Sequence, residues 1–286
     1  MGMSARPSSR AISGCVPIVL ATAALLVVPC ASPAKAQSTA FPGFTARLGG
    51  YVLESNTKIR LDAPGRNGNE VEFEDDLGLD KNQNLAVVNL EWQATNRNLF
   101  RLGYYSVDRS GERRLTDRSL VIGGVTYPIG SKVSADVKTS VYEVDWTFWF
   151  IRGDRSALGA ALGASVLDLD ASASSQVQVG TFTQTRSSEG SVTAPIPSIG
   201  LEGRAAITPR FLLLGYARVL PNITVGDVNG DALQYNAAAE WVPFSHAGIG
   251  ISYHGFSLNG DVDADNYRGG LELDTSGWQL YARFST

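Results

Sequence analysis

The 286-residue chain contains two histidines, His246 and His254, and two cysteines, Cys15 and Cys30. Both cysteines lie in an N-terminal segment that is expected to be removed, so the mature chain has no thiol for a disulfide, a zinc-thiolate site or a cysteine nucleophile. A hydrolase would need a nucleophile with a base, or an acid pair with a water, and histidine is the side chain most often enlisted. His246 is placed in a short turn, and His254 faces polar neighbours such as Gln234 or Asn236 across a strand pair. Neither has a serine or aspartate at a recognisable spacing. No catalytic residue is assigned, and His254 reads as a hydrogen-bonded filler rather than a general base.

Metal chemistry has one local signal. Asp261, Asp263 and Asp265 followed by Glu272 match positions 1, 3, 5 and 12 of an EF-hand calcium loop, with Asn266 where glycine usually stands. Asparagine tolerates the left-handed backbone that position needs. Against calcium, no helical pattern flanks the segment and Glu272 falls inside an expected strand. Calcium is the single cofactor the sequence offers, with a plainly solvated acidic loop as the alternative. Asp227, Asn229 and Asp231 make a weaker relative without a distal glutamate.

The elements that carry these residues are strands. No stretch after residue 36 keeps a 3.6-residue apolar period, whereas alternation of period two recurs throughout. Leu233, Tyr235, Ala237, Ala239 and Trp241 alternate with Gln234, Asn236, Ala238 and Glu240. Ala86, Val88, Leu90 and Trp92 alternate with Val87, Asn89 and Glu91. Tyr142, Val144, Trp146, Phe148 and Phe150 enclose Glu143, Asp145 and Thr147, and Ile199, Leu201, Ala205 and Ile207 face away from Glu202 and Arg204. Ten strands are predicted near 42–62, 82–95, 99–110, 132–151, 156–170, 190–207, 211–220, 231–242, 247–259 and 267–284, within a range of eight to twelve. Two places break the pattern. Phe211 to Val219 is apolar on both parities, and Leu271 and Leu273 are out of phase with Trp278, Leu280 and Phe284, which a bulge near Ser276-Gly277 would repair.

Alternation alone fits a soluble sandwich as well as a membrane barrel. Turn lengths separate them. Asn96-Arg97-Asn98, Arg152 to Ser156, Thr208-Pro209-Arg210 and Pro243 to His246 are short, and they alternate with long polar connectors near 64–81, 109–131, 171–190, 220–230 and 260–267. Short and long connectors in alternation are the periplasmic turns and extracellular loops of bacterial outer-membrane barrels. Trp92, Phe100, Phe148, Phe150, Phe211, Trp241 and Phe244 flank the short turns as an aromatic girdle. The predicted fold class is all-β, a closed antiparallel transmembrane barrel over 37–286.

Export is encoded at the start. Arg6 and Arg10 precede an apolar stretch from Val16 to Val28, too short to cross a bilayer as a helix, and Ala34-Lys35-Ala36 offers small residues at −3 and −1. Residues 1–36 therefore read as a cleaved signal peptide, and Pro29 before Cys30 argues against a lipoprotein. Removing Arg6, Arg10 and Lys35 leaves 21 basic against 28 acidic residues, a net charge of −7. An acidic chain without a basic cluster is a poor nucleic-acid binder. The expected partners are outer-membrane lipid and lipopolysaccharide, with the barrel-assembly machinery and periplasmic chaperones during biogenesis.

If the apolar parity meets lipid, the other parity fills the lumen. That set is Arg47, Glu91, Arg101, Glu143, Asp145, Glu202, Arg204, Glu240 and Arg283. Ionised groups removed from water are costly unless paired, so these should interlock as salt bridges. A small barrel's interior is only just wide enough for its side chains, which favours a plug over a narrow ion or solute channel. A lipid-modifying enzyme at His254 is the third expectation. The acidic run Glu70, Glu72, Glu74, Asp75 and Asp76 reads as a solvated loop or a divalent bridge to lipopolysaccharide phosphates.

The phrase Phe73-Glu74-Asp75-Asp76-Leu77-Gly78-Leu79-Asp80, with Leu102-Gly103-Tyr104-Tyr105, Tyr127-Pro128-Ile129-Gly130 and Ala194-Pro195-Ile196-Pro197, resembles uncharacterised proteobacterial outer-membrane β-barrel proteins. The resemblance spans the mature chain and implies fold and location, not activity. One departure is that Phe284 is followed by Ser285 and Thr286, where such barrels commonly end on an aromatic residue.

Overall fold

A computed structural model describes residues 41–62, 70–122, 125–179, 182–225, 228–264 and 267–286. The signal peptide assigned to residues 1–36 lies outside them, as do Asp227, Asp265 and Asn266. In chain order the elements are β1 (Phe44–Asp62), β2 (Glu70–Glu72), the single turn α1 (Phe73–Asp76), β3 (Asn82–Gln93), β4 (Asn98–Arg114), β5 (Leu120–Ile122), β6 (Val125–Tyr127), β7 (Lys132–Arg152), β8 (Ser156–Val179), β9 (Phe182–Thr208), β10 (Phe211–Val225), β11 (Val228–Trp241), β12 (Ala247–Ala264) and β13 (Tyr267–Ser285). No helix among them is long and apolar enough to cross a membrane.

Ten strands form one antiparallel barrel in the order β1, β3, β4, β7, β8, β9, β10, β11, β12, β13. It closes where β13 returns to β1, in register from Thr45↔Ser285 to Asp62↔Arg268. Closure leaves no unpaired edge, which is what a strand needs in hydrocarbon. Ser285 and Thr286 extend that seam, since the Thr286 amide donates to the Phe44 carbonyl and the Phe44 amide to Thr286 Oγ1.

Every clear strand turns its apolar parity outward over about nine residues, the length a tilted strand needs to span the bilayer. Phe44 to Val52, Tyr142 to Phe150, Leu158 to Val166, Phe211 to Val219 and Leu233 to Trp241 all do so, with their large apolar side chains exposed. Trp92, Phe100, Phe148, Phe150, Phe211, Trp241 and Phe244 are all exposed beside the short turns, as an aromatic girdle requires. Tyr104, Tyr142, Tyr235, Tyr253 and Trp278 sit at the other edge of the belt, with Tyr253 and Trp278 packed edge-on at 5.1 Å.

The strands do not stop at that edge. In the connectors expected at 171–190, 220–230 and 260–267 the described residues are corrected to strand: β8 and β9 remain paired to Val179↔Phe182, β10 and β11 to Val225↔Val228, and β12 and β13 to Ala264↔Tyr267. At 27 residues, β9 is more than twice as long as a membrane crossing requires. The 109–131 connector holds the end of β4 and the β5–β6 hairpin. The 64–81 connector holds β2 and α1.

Beyond the belt the pattern inverts. Outward positions become Asp108, Asp136, Lys138, Asp168 and Asp170, while inward ones become Val133, Ala135, Val137, Leu169 and Ala173, all buried. Inside lipid the outside must be apolar, but in water the same wall must bury its apolar side chains inward. The bulge expected at Ser276-Gly277 is corrected for this reason. β13 pairs with β1 and β12 without a register shift, and Leu271 and Leu273 simply face the lumen above the membrane. Register shifts fall instead between Trp149 and Ile151, Phe211 and Leu212, and Leu220 and Ile223.

Candidate functional site: the filled lumen

From the short-turn end upward, the lumen is filled in tiers. The lowest is apolar: Phe41, Leu99, Trp149, Ala157, Leu212 and Val242 pack together. Trp149 has no exposed surface, its indole N–H donates to Gln93 Oε1 at 3.3 Å, and the Arg152 guanidinium lies 4.2 Å from the Phe41 ring centroid.

The charged tier lies above it and holds Arg47, Glu91, Arg101, Glu143, Asp145, Glu202, Arg204, Glu240 and Arg283, every one at most 8 % exposed. Cross-strand register brings them together: Arg101 is directly opposite Glu91 on β3 and Asp145 on β7. Glu91 binds Arg47 at 2.9 Å, Arg101 at 3.0 Å and Arg204 at 2.9 Å. Glu202 binds Arg101 at 2.7 Å and Arg204 at 2.9 Å. Glu240 joins Arg47 at 2.6 Å to Arg283 at 3.2 Å and accepts a hydrogen bond from Tyr281. Room for these side chains comes from small residues facing them. Gly163 is directly opposite Asp145, and a Cβ there would lie 2.1 Å from Asp145 Oδ1.

One member escapes the sequence pattern. Arg218 is 1 % exposed and pairs with Asp145 at 2.8 Å, with its guanidinium 4.1 Å from the Tyr216 ring centroid. It lies in the segment that is apolar on both parities, where nothing marks the lumen face except Arg218 itself. With it, five arginines face five carboxylates and the tier is neutral.

A polar tier follows. Tyr51 Oη meets His254 Nδ1 at 3.2 Å, Gln234 Nε2 meets His254 Nε2 at 3.3 Å, and the same Gln234 amide donates to Glu143. His254 is thus hydrogen-bonded through both ring nitrogens, with Asn236 its direct cross-strand partner. Around these groups is a cavity of about 80 Å³ whose lining includes Arg47, Arg101, Glu143, Tyr216, His254 and Gln279. It is lined by polar and apolar atoms together and is large enough to hold water. Val141, Leu167, Ile196, Ala232, Leu258 and Leu273 then close over it as an apolar layer.

In the outermost tier the solvated-loop reading of Glu70, Glu72, Glu74, Asp75 and Asp76 is corrected at Glu74. Phe73, Leu77 and Leu79 pack with Leu115, Leu120, Tyr127 and the inner walls of β7 and β8. Glu74 is buried, binding Arg109 at 2.5 Å and accepting the Thr57 amide at 2.9 Å, while Arg109 Nη2 donates to Thr57 Oγ1. Sequence could not separate Glu74 from its exposed acidic neighbours, since only its partner on β4 buries it. Removing that partner strands a buried carboxylate, so Arg109→Ala should loosen the cap. Glutamyl endopeptidase added to the folded protein is expected to cut within 70–76 roughly tenfold faster or more. An unchanged cleavage rate would mean that the pair does not hold the cap.

Of the EF-hand candidates, Asp265 and Asn266 lie outside the described residues. Asp261 and Asp263 belong to β12 and pair with Gly270 and Arg268, and Glu272 on β13 is opposite Asn259 on β12. Glu272 lies 3.8 Å from Lys58. Among the described residues no group of three or more His, Cys, Asp or Glu side chains is placed to hold a metal. His246 is in the short turn after β11, with Nδ1 3.0 Å from the Ser285 carbonyl.

Among solved structures the chain is similar to the outer membrane protease OmpT from Escherichia coli, with a TM-score of 0.56 and 11 % identity over 85 % of this chain and 96 % of that one. The outer membrane protein OprG from Pseudomonas aeruginosa aligns with a TM-score of 0.36 and 8 % identity over 87 % and 99 % of the two chains. The attachment invasion locus protein Ail of Yersinia pestis aligns with a TM-score of 0.28 and 13 % identity over 83 % and 99 %. No family model and no curated protein matches the chain. At 11 % identity the likeness to OmpT is one of architecture, that of an outer-membrane β-barrel.

Proposed function

We propose that this protein is an outer-membrane barrel of structural or surface-interaction type whose lumen is filled and does not conduct. The observation that carries this reading is the neutral tier of five arginines and five carboxylates spanning the lumen between two apolar layers. A permeating ion would have to displace members of this ion-pair network and then cross packed hydrocarbon, where an isolated charge is costly. What remains for the protein to present is the wall that projects beyond the membrane, with its row of Asp108, Lys138, Asp170 and Ser191 in cross-strand register.

Planar-bilayer recording of the refolded mature chain tests this directly. No single-channel steps are expected, with or without calcium. Steady unitary currents whose ion selectivity changes in Glu143→Gln or Arg204→Gln would replace this reading with that of a narrow channel.

The burial of His254 between the charged tier and the apolar layer supports a non-enzymatic reading. His254→Ala is expected to leave the lipid A and phospholipid profiles of the expressing cell unchanged. A lost lipid modification in that variant would make the protein an enzyme.

A further inference from the structure

The lipid-facing wall is not uniform. Beside the β1–β13 closure it carries a recess of about 280 Å³ with an almost wholly apolar lining. Its cause is Gly50, an outward position of β1 with Leu280 directly opposite on β13. A Cβ built on Gly50 would meet nothing within 4 Å. Lacking a neighbour there, Leu280 is 67 % exposed. Val52 and Trp278, opposite one another in the next row, form the upper wall, and Ile251 on β12 forms the far side. Asn84, opposite Val52 on β3, places an amide at the rim nearest the headgroups.

We propose that this recess is a binding site for one acyl chain of a membrane lipid, with the lipid's polar portion at Asn84. Its position within the membrane belt fixes the chemistry of the occupant as hydrocarbon. A flexible chain can follow a depression on a convex wall. A second copy of the barrel would instead need about 800 Å² of complementary surface from each partner, which a local depression flanked by projecting Leu280 and Trp278 side chains does not offer. The chain belongs either to a phospholipid or to lipid A, and the two differ in mass.

Native mass spectrometry of the full mature chain, extracted in mild detergent, should show a single retained lipid whose mass distinguishes those two sources. Gly50→Leu fills the recess and should lower the retained fraction roughly tenfold, as expected when a couple of methylene contacts are lost. Ala160→Leu, on the distant outward face of β8, should leave it unchanged. Equal retention in Gly50→Leu, no retained lipid in the parent, or a dimer that Gly50→Leu abolishes would each overturn the proposal.

A second measurement does not depend on that variant folding. With Trp92, Trp146, Trp149 and Trp241 changed to Phe, Trp278 fluorescence should be quenched by chain-brominated lipid. The quenching should persist after dilution into unbrominated vesicles. Immediate recovery in proportion to dilution would show ordinary lipid contact only.

Discussion

Glu91→Leu is expected to destabilise the folded barrel by about 3–5 kcal/mol in reversible urea unfolding from lipid vesicles. The carboxylate lies among three guanidiniums, those of Arg47, Arg101 and Arg204, at 2.9–3.0 Å. Leucine leaves the arginines buried with one acid fewer, and the cost is chiefly that of their uncompensated charge rather than of any contact leucine lacks. Double substitution gives the sign of this explanation. Adding Arg204→Leu removes one of the stranded charges, so the double variant should recover part of the loss, with a coupling of at least about 1 kcal/mol. The exposed Glu112–Lys132 pair is the contrast. It is 2.6 Å long, and its hydrogen bond holds the Glu112 carboxyl below the ordinary range, yet both side chains are more than half exposed. Glu112→Gln should therefore leave the unfolding midpoint where it was. A Glu91→Leu variant within about 1 kcal/mol of the parent would mean that the tier is loose and hydrated instead of interlocked.

The second large effect is steric. Gly277 lies at the closure of the barrel, opposite Leu53 on β1 and His254 on β12. A Cβ there would be 1.9 Å from the Val52 carbonyl oxygen and 3.0 Å from the Tyr51 ring. Because the nearest obstacle is backbone, no rotamer change relieves it, and β1 and β13 would have to part. Gly277→Val should cost at least about 3 kcal/mol, the upper end of overpacking penalties, and keep most of the protein in the slow-migrating unfolded band when unheated samples are run on a denaturing gel. Gly190→Val is the matched control, since a Cβ there would meet nothing within 4 Å. Normal compact migration of Gly277→Val would show that the seam can open locally and reclose.

How far sequence reaches is clearest strand by strand. In Ala86 to Trp92, Tyr142 to Phe150 and Leu233 to Trp241, charge is confined to one parity and bulky apolar residues to the other, so the lumen face can be read directly. Glu91, Glu143, Asp145 and Glu240 all turn inward there. Above the membrane the same rule misleads, because it assumes one solvent outside the wall. Leu271 and Leu273 look like a phase error when lipid is assumed on both sides of Ser276. With water outside, they occupy the correct face. The projecting halves of β8 and β9 look like loops for a related reason, since runs such as Ser172, Ser174 and Ser175 are small and polar and carry little strand signal, and their pairing is imposed by the register begun below. Arg218 and Glu74 illustrate the other limit. Each is defined by a partner distant in sequence, Asp145 and Arg109 respectively, and no local pattern announces that partner.

The reversal of the inside-outside pattern along each strand also fixes the barrel's depth. Sliding it outward by one residue pair would lift Val52, Tyr142 and Leu233 into water. Sliding it inward would drag Asp168, Asp231 and Asp274 into hydrocarbon, and a charge on the lipid face costs up to a few kcal/mol as it nears the midplane. Both displacements are opposed at once around the whole circumference. The barrel therefore has a preferred depth, and its projecting wall a preferred height above the bilayer.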